Sequence, residues 1–313
     1  MDDSNIARDR VGTPSVSGPL FVWLAHEDPL ATTTTPSGNA TLARRAMNES
    51  ETPVLVVVHG LGEHAGRYDR IARRLAGHGW TVVAEDLLGH GRQPGRRGDA
   101  SYDELLDQVE RVWRGAGEYG RPRAIWGHSF GGNLVLNTLL RRGRLAGLEG
   151  ALVTGPMLRA ALPIPAWKRW AARWVTPWFP KLLVPTDIDA EDLTHDARQV
   201  EAFRNDPLNL SVVSARLGKA MLESAQWALD HASQWNERTD RLPLTLWHGA
   251  EDRLTDCQAS HEFARAAGEP AEFEPWAGGR HELHQELFHE RFADRLEGLL
   301  GHWSTNTKLA STP

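Results

Sequence analysis

Only one cysteine, Cys257, occurs in 313 residues, which excludes an internal disulfide and a zinc site built from several cysteines. A lone thiol fits a reducing compartment, and its place ahead of a helix-forming stretch reads as a small packing residue rather than a redox sensor. No apolar run approaches the roughly 18 residues that a membrane-spanning helix needs. Residues 1–10 hold three aspartates and no apolar core, so they do not read as a secretory signal. A basic excess is missing too: 35 Lys and Arg against 41 Asp and Glu give a net charge of −6, and the basic residues are spread throughout, which argues against a nucleic-acid partner. These absences lead to the expectation of a soluble cytoplasmic protein, with peripheral membrane contact still open to it. No oligomeric state follows from the sequence.

What is present is enough apolar material for one large domain with an elaboration: 41% of residues are hydrophobic and 24% charged. Residues 54–58 form a continuous β-branched run, the mark of a strand buried on both faces of a mostly parallel sheet. A first strand is expected at 20–25, others at 80–85, 123–128, 150–154, 244–247 and 271–275. Helices are expected at 67–77, 101–116, 215–232, 257–267 and 286–302; the second shows Tyr102, Leu105, Leu106, Val109, Val112 and Trp113 at helical spacing. Such alternation predicts an α/β fold with helices on both faces of a mostly parallel central sheet. Residues 1–18 read as a flexible lead, the polar stretch within 26–52 as a mobile connection, and 304–313 as a disordered tail.

Between 156 and 212 the alternation breaks. Prolines are frequent, and Trp167, Trp170, Trp174 and Trp178 recur at helical spacing, with Lys168, Arg169 and Arg173 elsewhere on the helix. An insertion at this point divides the core into 19–155 and 213–303 and forms a helical cap. Its tryptophans either pack inward or meet a lipid-like substrate or membrane interface, with Trp167 and Trp170 the candidates for substrate contact.

The chemistry centres on Gly127-His128-Ser129-Phe130-Gly131. Two glycines bracket Ser129 because a serine on a sharp strand-to-helix turn needs neighbours without side chains to let the two arms approach. The helix that follows aims its first amides and its positive end at the place where an oxyanion would form. A serine needs a base to accept its proton, and the base needs a carboxylate to fix its tautomer. Asp252 lies five residues past the strand ending at Trp247, and His281 on the loop after the last strand. In α/β-hydrolases the three groups arrive in this order, each on a loop at the carboxyl end of a strand. Glu251 and Asp256 compete for the acid role and His284 for the base, the last being expected to begin the final helix and face away. In that fold a His-Gly turn after an early strand supplies a second oxyanion donor, which names the amides of Leu61 and Phe130, with Gly60 and His128 lining the substrate site. His59-Gly60-Leu61-Gly62 matches neither phosphate-loop spacing.

His59-Gly60-Leu61-Gly62-Glu63-His64-Ala65-Gly66-Arg67-Tyr68, Gly89-His90-Gly91-Arg92, Gly127-His128-Ser129-Phe130-Gly131-Gly132, Asn205-Asp206-Pro207, Gly249-Ala250-Glu251-Asp252-Arg253-Leu254 and His281-Glu282-Leu283-His284 together resemble the monoacylglycerol lipases and related bacterial lysophospholipases. That resemblance spans about residues 20–302. It implies an α/β-hydrolase fold and a serine hydrolase acting on monoglycerides or similar lipid esters, without metal or cofactor, under an amphipathic cap that meets the membrane. The sequence departs from the pattern in its long 26–52 segment and its tryptophan-rich, proline-rich cap. A soluble carboxylesterase or a lysophospholipase acting on other acyl esters is the alternative, and a non-catalytic α/β-hydrolase fold that binds a small hydrophobic ligand ranks last, because such proteins usually lack part of the triad.

Overall fold

A computed structural model describes residues 20–25, 33–35, 52–162 and 176–310. Eight strands form one sheet: β1 (Leu20–Trp23), β2 (Thr33–Thr35), β3 (Pro53–Val58), β4 (Thr81–Glu85), β5 (Arg121–His128), β6 (Gly150–Thr154), β9 (Leu244–Gly249) and β10 (Ala271–Trp276), with β7 (Leu183–Pro185) and β8 (Val212–Ser214) paired separately. The order across the large sheet is β10-β9-β6-β5-β3-β4-β1-β2. From β10 to β4 every pairing is parallel, and β1 runs antiparallel to both β4 and β2.

The strand period of two divides the core. Val54, Val56 and Val58 face one hydrophobic cluster, while Leu55 and Val57 face the other. On the first face lie α2 (Tyr102–Ala116), α3 (Phe130–Arg142), α5 (Ala215–His231), α6 (Trp235–Thr239) and α7 (Cys257–Ala267). The second face carries α1 (Asp69–Gly77) and α8 (His289–Ala310), where Trp126, Phe292, Leu296 and Leu300 are buried together. A strand covered on both faces has to be apolar throughout, which is why residues 54–58 show no alternation.

Several helix starts are fixed locally. Glu104 accepts from the Ser101 amide at 3.1 Å ahead of α2, and Asp256 accepts from the Gln258 amide at 2.9 Å to open α7. Between β6 and α5 the described residues hold β7, β8, a 3-10 turn at Ala190–Asp192 and α4 (Ala197–Asn205), which starts where Asp196 accepts from the Arg198 amide at 3.0 Å.

The structure differs from the sequence expectations in several elements. Thr33–Thr35, expected within a mobile connection, pairs antiparallel with β1, because ladder hydrogen bonds belong to the backbone and do not require apolar side chains. The helix expected over 67–77 opens as a 3-10 turn at Ala65–Tyr68, and β7 and α4 were not foreseen. The final helix starts at His289 and runs to Ala310, through residues expected to be a disordered tail. Trp178, expected on a helix, sits in a turn and is 80% exposed. Trp167, Trp170 and Trp174 lie outside the described residues.

Candidate active site

Ser129 stands between β5 and α3 with φ 52° and ψ −115°, a conformation that a residue bearing a side chain adopts only when its surroundings impose it. Two hydrogen bonds impose it here: the Ser129 amide donates to the Thr154 carbonyl at 2.9 Å, and the Met157 amide donates to the Ser129 carbonyl at 2.9 Å. The flanking glycines are required by space. A Cβ on Gly127 would stand 2.6 Å from the Gly131 carbonyl oxygen, and one on Gly131 would stand 2.0 Å from that of Val58. The start of α3 is thereby pressed against the end of β3, beside the expected oxyanion loop.

Asp252 and His281 meet at the carboxyl ends of neighbouring strands β9 and β10. The His281 Nδ1–H donates to Asp252 Oδ2 at 2.7 Å. That carboxylate is fully buried and saturated: the Leu254 and Thr255 amides donate to Oδ1 at 2.8 and 3.0 Å, while the Thr255 hydroxyl and His248 Nε2 reach Oδ2 at 2.8 and 3.0 Å. Burial alone would raise the Asp252 pKa, but His281 and the His248 contact outweigh it and hold the carboxyl well below its usual range. His281 feels the mirror image. Burial pushes its imidazole down, the Asp252 charge and hydrogen bond push it up, and the net shift is upward. Glu251 and Asp256 do neither job: Glu251 faces His195 at 3.7 Å, and Asp256 caps α7.

His281 lies beside the serine turn. A Cβ on Gly155, one residue past the Thr154 carbonyl that holds Ser129, would stand 3.2 Å from His281 Nδ1. The ring of His128, the residue before Ser129, packs 4.7 Å from that of His281. His128, expected to line the substrate site, is only 1% exposed, and its Nδ1 is bonded to Thr154; it supports His281 from beneath instead of forming an open wall. Burial, followed by the neighbouring His281 and His284, holds His128 well below the usual histidine range, so it stays neutral there. His284 does not begin the final helix. It occupies a 3-10 turn, Leu283–Gln285, faces inward and stacks on Tyr68 at 4.8 Å, with burial pushing its pKa down to about 3.

Gly60 and Phe130 also lie at this point, and Leu61 follows Gly60 in the chain. A Cβ on Gly60 would come within 3.2 Å of the Ser129 Cβ, and Phe130 is the first residue of α3. The turn from 59 to 68 is braced by residues that were noted in the sequence only as part of a motif. Glu63 accepts from the Gly60 amide at 2.6 Å, the Tyr68 hydroxyl at 3.0 Å and Arg67 at 2.9 Å. Arg67 grips both carboxylate oxygens of Glu282, the neighbour of His281, and stacks over Phe203 of the insertion. Asp206 of the insertion accepts from His64 at 2.7 Å, and the Leu210 amide donates to the Gly62 carbonyl at 2.8 Å. Thr255 was also missed; the Asp-x-x-Thr spacing at 252–255, which lets the hydroxyl reach back to the carboxylate, was its signal.

Among the described residues, no three His, Cys, Asp or Glu side chains gather as a metal site would need, and no helix is long and apolar enough to cross a membrane. Residues 49–287 match the serine aminopeptidase S33 family. The chain is 30% identical over 246 residues to human monoglyceride lipase, covering 75% of this chain and 77% of that protein. An abhydrolase domain-containing protein of Dictyostelium discoideum is 30% identical over 261 residues; this match covers 82% of the chain but only 27% of that longer protein. Among solved structures, the crystal structure of Paleococcus ferrophilus monoacylglycerol lipase superposes with a TM-score of 0.72 at 26% identity, over 82% of this chain and 96% of that one.

Proposed function

Since this chain belongs to the serine aminopeptidase S33 family and is a serine α/β-hydrolase of the monoglyceride lipase type, we propose that it cleaves monoacylglycerols to fatty acid and glycerol through Ser129, His281 and Asp252. The observation that carries this reading is the 2.7 Å pair of His281 and Asp252, buried beside the strained Ser129 turn.

His281 Nε2 removes the Ser129 proton as Oγ attacks the ester carbonyl, and the amides of Leu61 and Phe130 stabilise the oxyanion. The imidazolium then protonates the leaving glycerol, and water repeats the sequence on the acyl-enzyme. Asp252 holds His281 with its Nδ1 protonated, which leaves Nε2 free to act as the base. Lipid selection falls to the insertion, where Trp178 and Phe179 are exposed, a disposition that suits contact with a lipid surface. The core and insertion are divided at about 155 and 213.

The test is the hydrolysis rate across monoacylglycerols and p-nitrophenyl esters from short to long acyl chains. Medium or long monoacylglycerols are expected to be preferred, with Ser129→Ala lowering kcat by about 10⁴-fold or more. Turnover of short soluble esters alone would remove the lipid assignment while leaving the serine chemistry in place.

A further inference from the structure

The oxyanion loop contains a histidine that takes no part in proton transfer. His59 directly follows β3, is 1% exposed, and makes two hydrogen bonds to backbone groups. The Leu87 amide reaches its Nε2 at 2.8 Å, and its Nδ1 lies 2.8 Å from the Gly60 carbonyl oxygen. A backbone amide can only donate, so Nε2 is the unprotonated nitrogen. Nδ1 therefore carries the hydrogen and donates to Gly60. Burial lowers the pKa of His59 and keeps this neutral form.

The consequence follows from the planarity of the peptide bond. In a trans peptide the carbonyl of Gly60 and the amide of Leu61 point in opposite directions. A donor fixed on the carbonyl therefore fixes the direction of the amide. The preceding peptide is fixed as well, because the Gly60 amide donates to Glu63 Oε1 at 2.6 Å. Both peptide planes that meet at the Gly60 Cα are thus held from outside the site, while the Cα itself faces Ser129. Gly60 has no side chain to restrict its own rotation, so without these two contacts the Leu61 amide would sample many directions.

We propose that His59 is a positioning residue for the hydrolysis, its Nδ1–H holding the Gly60 carbonyl so that the Leu61 amide is aimed at the developing oxyanion. This rests on the assignment of Ser129 as nucleophile and Leu61 as oxyanion donor. A donor aimed before the reaction stabilises charge that exists only in the transition state, so its loss lowers kcat and leaves substrate binding alone.

Two substitutions separate the two hydrogen bonds. His59→Asn places an amide nitrogen near the position of Nδ1, where it can hold Gly60, and gives up the Leu87 contact. His59→Gln reaches the position of Nε2, where its oxygen can accept from Leu87, and releases Gly60. Losing an oxyanion donor outright costs about 10²–10³ in kcat, so misaiming one is expected to cost about 10- to 100-fold in His59→Gln, with KM within about twofold. A trifluoromethyl ketone inhibitor should weaken by a similar factor, whereas an ether analogue of the substrate should bind unchanged. His59→Asn is expected to keep kcat within about fivefold of the parent. Equal losses in the two variants, or unchanged kcat and ketone affinity in His59→Gln, overturn the proposal. Should the glutamine variant not fold, the asparagine variant decides alone: kcat within about fivefold of the parent supports the clamp, and a larger loss overturns it. Full activity in Ser129→Ala would instead overturn the assignment of the site, and stoichiometric fluorophosphonate labelling of Ser129 in His59→Gln shows that the nucleophile survived the substitution.

Discussion

Two opposing forces act on His281, and their balance sets the pH at which the proposed site works. The buried ring is poorly solvated, which favours its neutral form, and the Asp252 carboxylate 2.7 Å away favours the charged one. The charge wins, so the pKa lies above the ordinary histidine range. As a general base His281 must be neutral. Activity should therefore fall as the pH drops through that raised pKa, and the acid limb of kcat/KM should lie above the usual 6.5 of a free histidine. Replacing Asp252 with asparagine removes the opposing charge and leaves burial to dominate. The acid limb of Asp252→Asn should move to lower pH, while kcat falls by about 10⁴-fold because the imidazole loses its enforced tautomer. A pH-rate profile measures both, and a limb that stays in place would mean that another group sets the His281 pKa.

At the scale of elements, one guanidinium joins three separate segments of the chain. Arg67 belongs to the turn after β3, Glu282 to the loop after β10, and Phe203 to α4 of the insertion, so Arg67 ties the proposed oxyanion loop to the proposed base loop and to the cap. Its two carboxylate partners are themselves buried. Breaking a buried pair from one side is severe, because the remaining charges have nowhere to go. Arg67→Ala should lower unfolding free energy by about 3–5 kcal/mol, visible as a fall in the urea midpoint with little change in slope. A midpoint within error of the parent would show that water had replaced the guanidinium. Local pattern made much of this legible beforehand. The apolar run at 54–58 and the striped helix over 101–116 appear within a residue or two of where periodicity predicts them, since burial on one or two faces dictates their composition. Gly127, Gly131 and the Ser129 turn were legible because backbone crowding leaves few choices of residue. The network of Glu63, Arg67 and Glu282 was not, because Arg67 and Glu282 stand 215 residues apart and nothing local in either stretch calls for the other. His284 was misread for a related reason: a 3-10 turn of three residues has no periodicity to reveal which way its side chains point.

For the whole molecule, the described part of the segment between β6 and α5 is hydrogen-bonded to the rest of the chain at several points and exposes apolar side chains around residue 178. Its first residues bond to the loop after β9, where the Ala161 amide donates to the Leu254 carbonyl and the Asp256 amide to that of Arg159. Further along, the Glu282 amide donates to the Leu193 carbonyl at 2.8 Å and the Thr194 hydroxyl to the Gln285 carbonyl at 3.0 Å, which fastens it to the loop after β10. Outward from these anchors, Trp178 is 80% exposed, Phe179 64% and Leu182 49%, close to Lys181 in sequence. Scattered exposed apolar residues are ordinary, but two adjacent large aromatics are a concentrated exposure that contact with acyl chains would relieve. Full burial of one such side chain contributes about 1.5–3 kcal/mol, so partial insertion of the pair should strengthen vesicle binding by about 10- to 100-fold. Trp178→Ser with Phe179→Ser should weaken sedimentation with phosphatidylcholine vesicles by that factor and slow hydrolysis of vesicle-borne monoacylglycerol. Turnover of p-nitrophenyl acetate in solution should stay within about twofold, because both side chains are exposed and their loss leaves no cavity. Equal losses on the soluble and the vesicle-borne substrate would instead assign the pair to the acyl path or to folding, and unchanged vesicle binding would show that the pair makes no lipid contact.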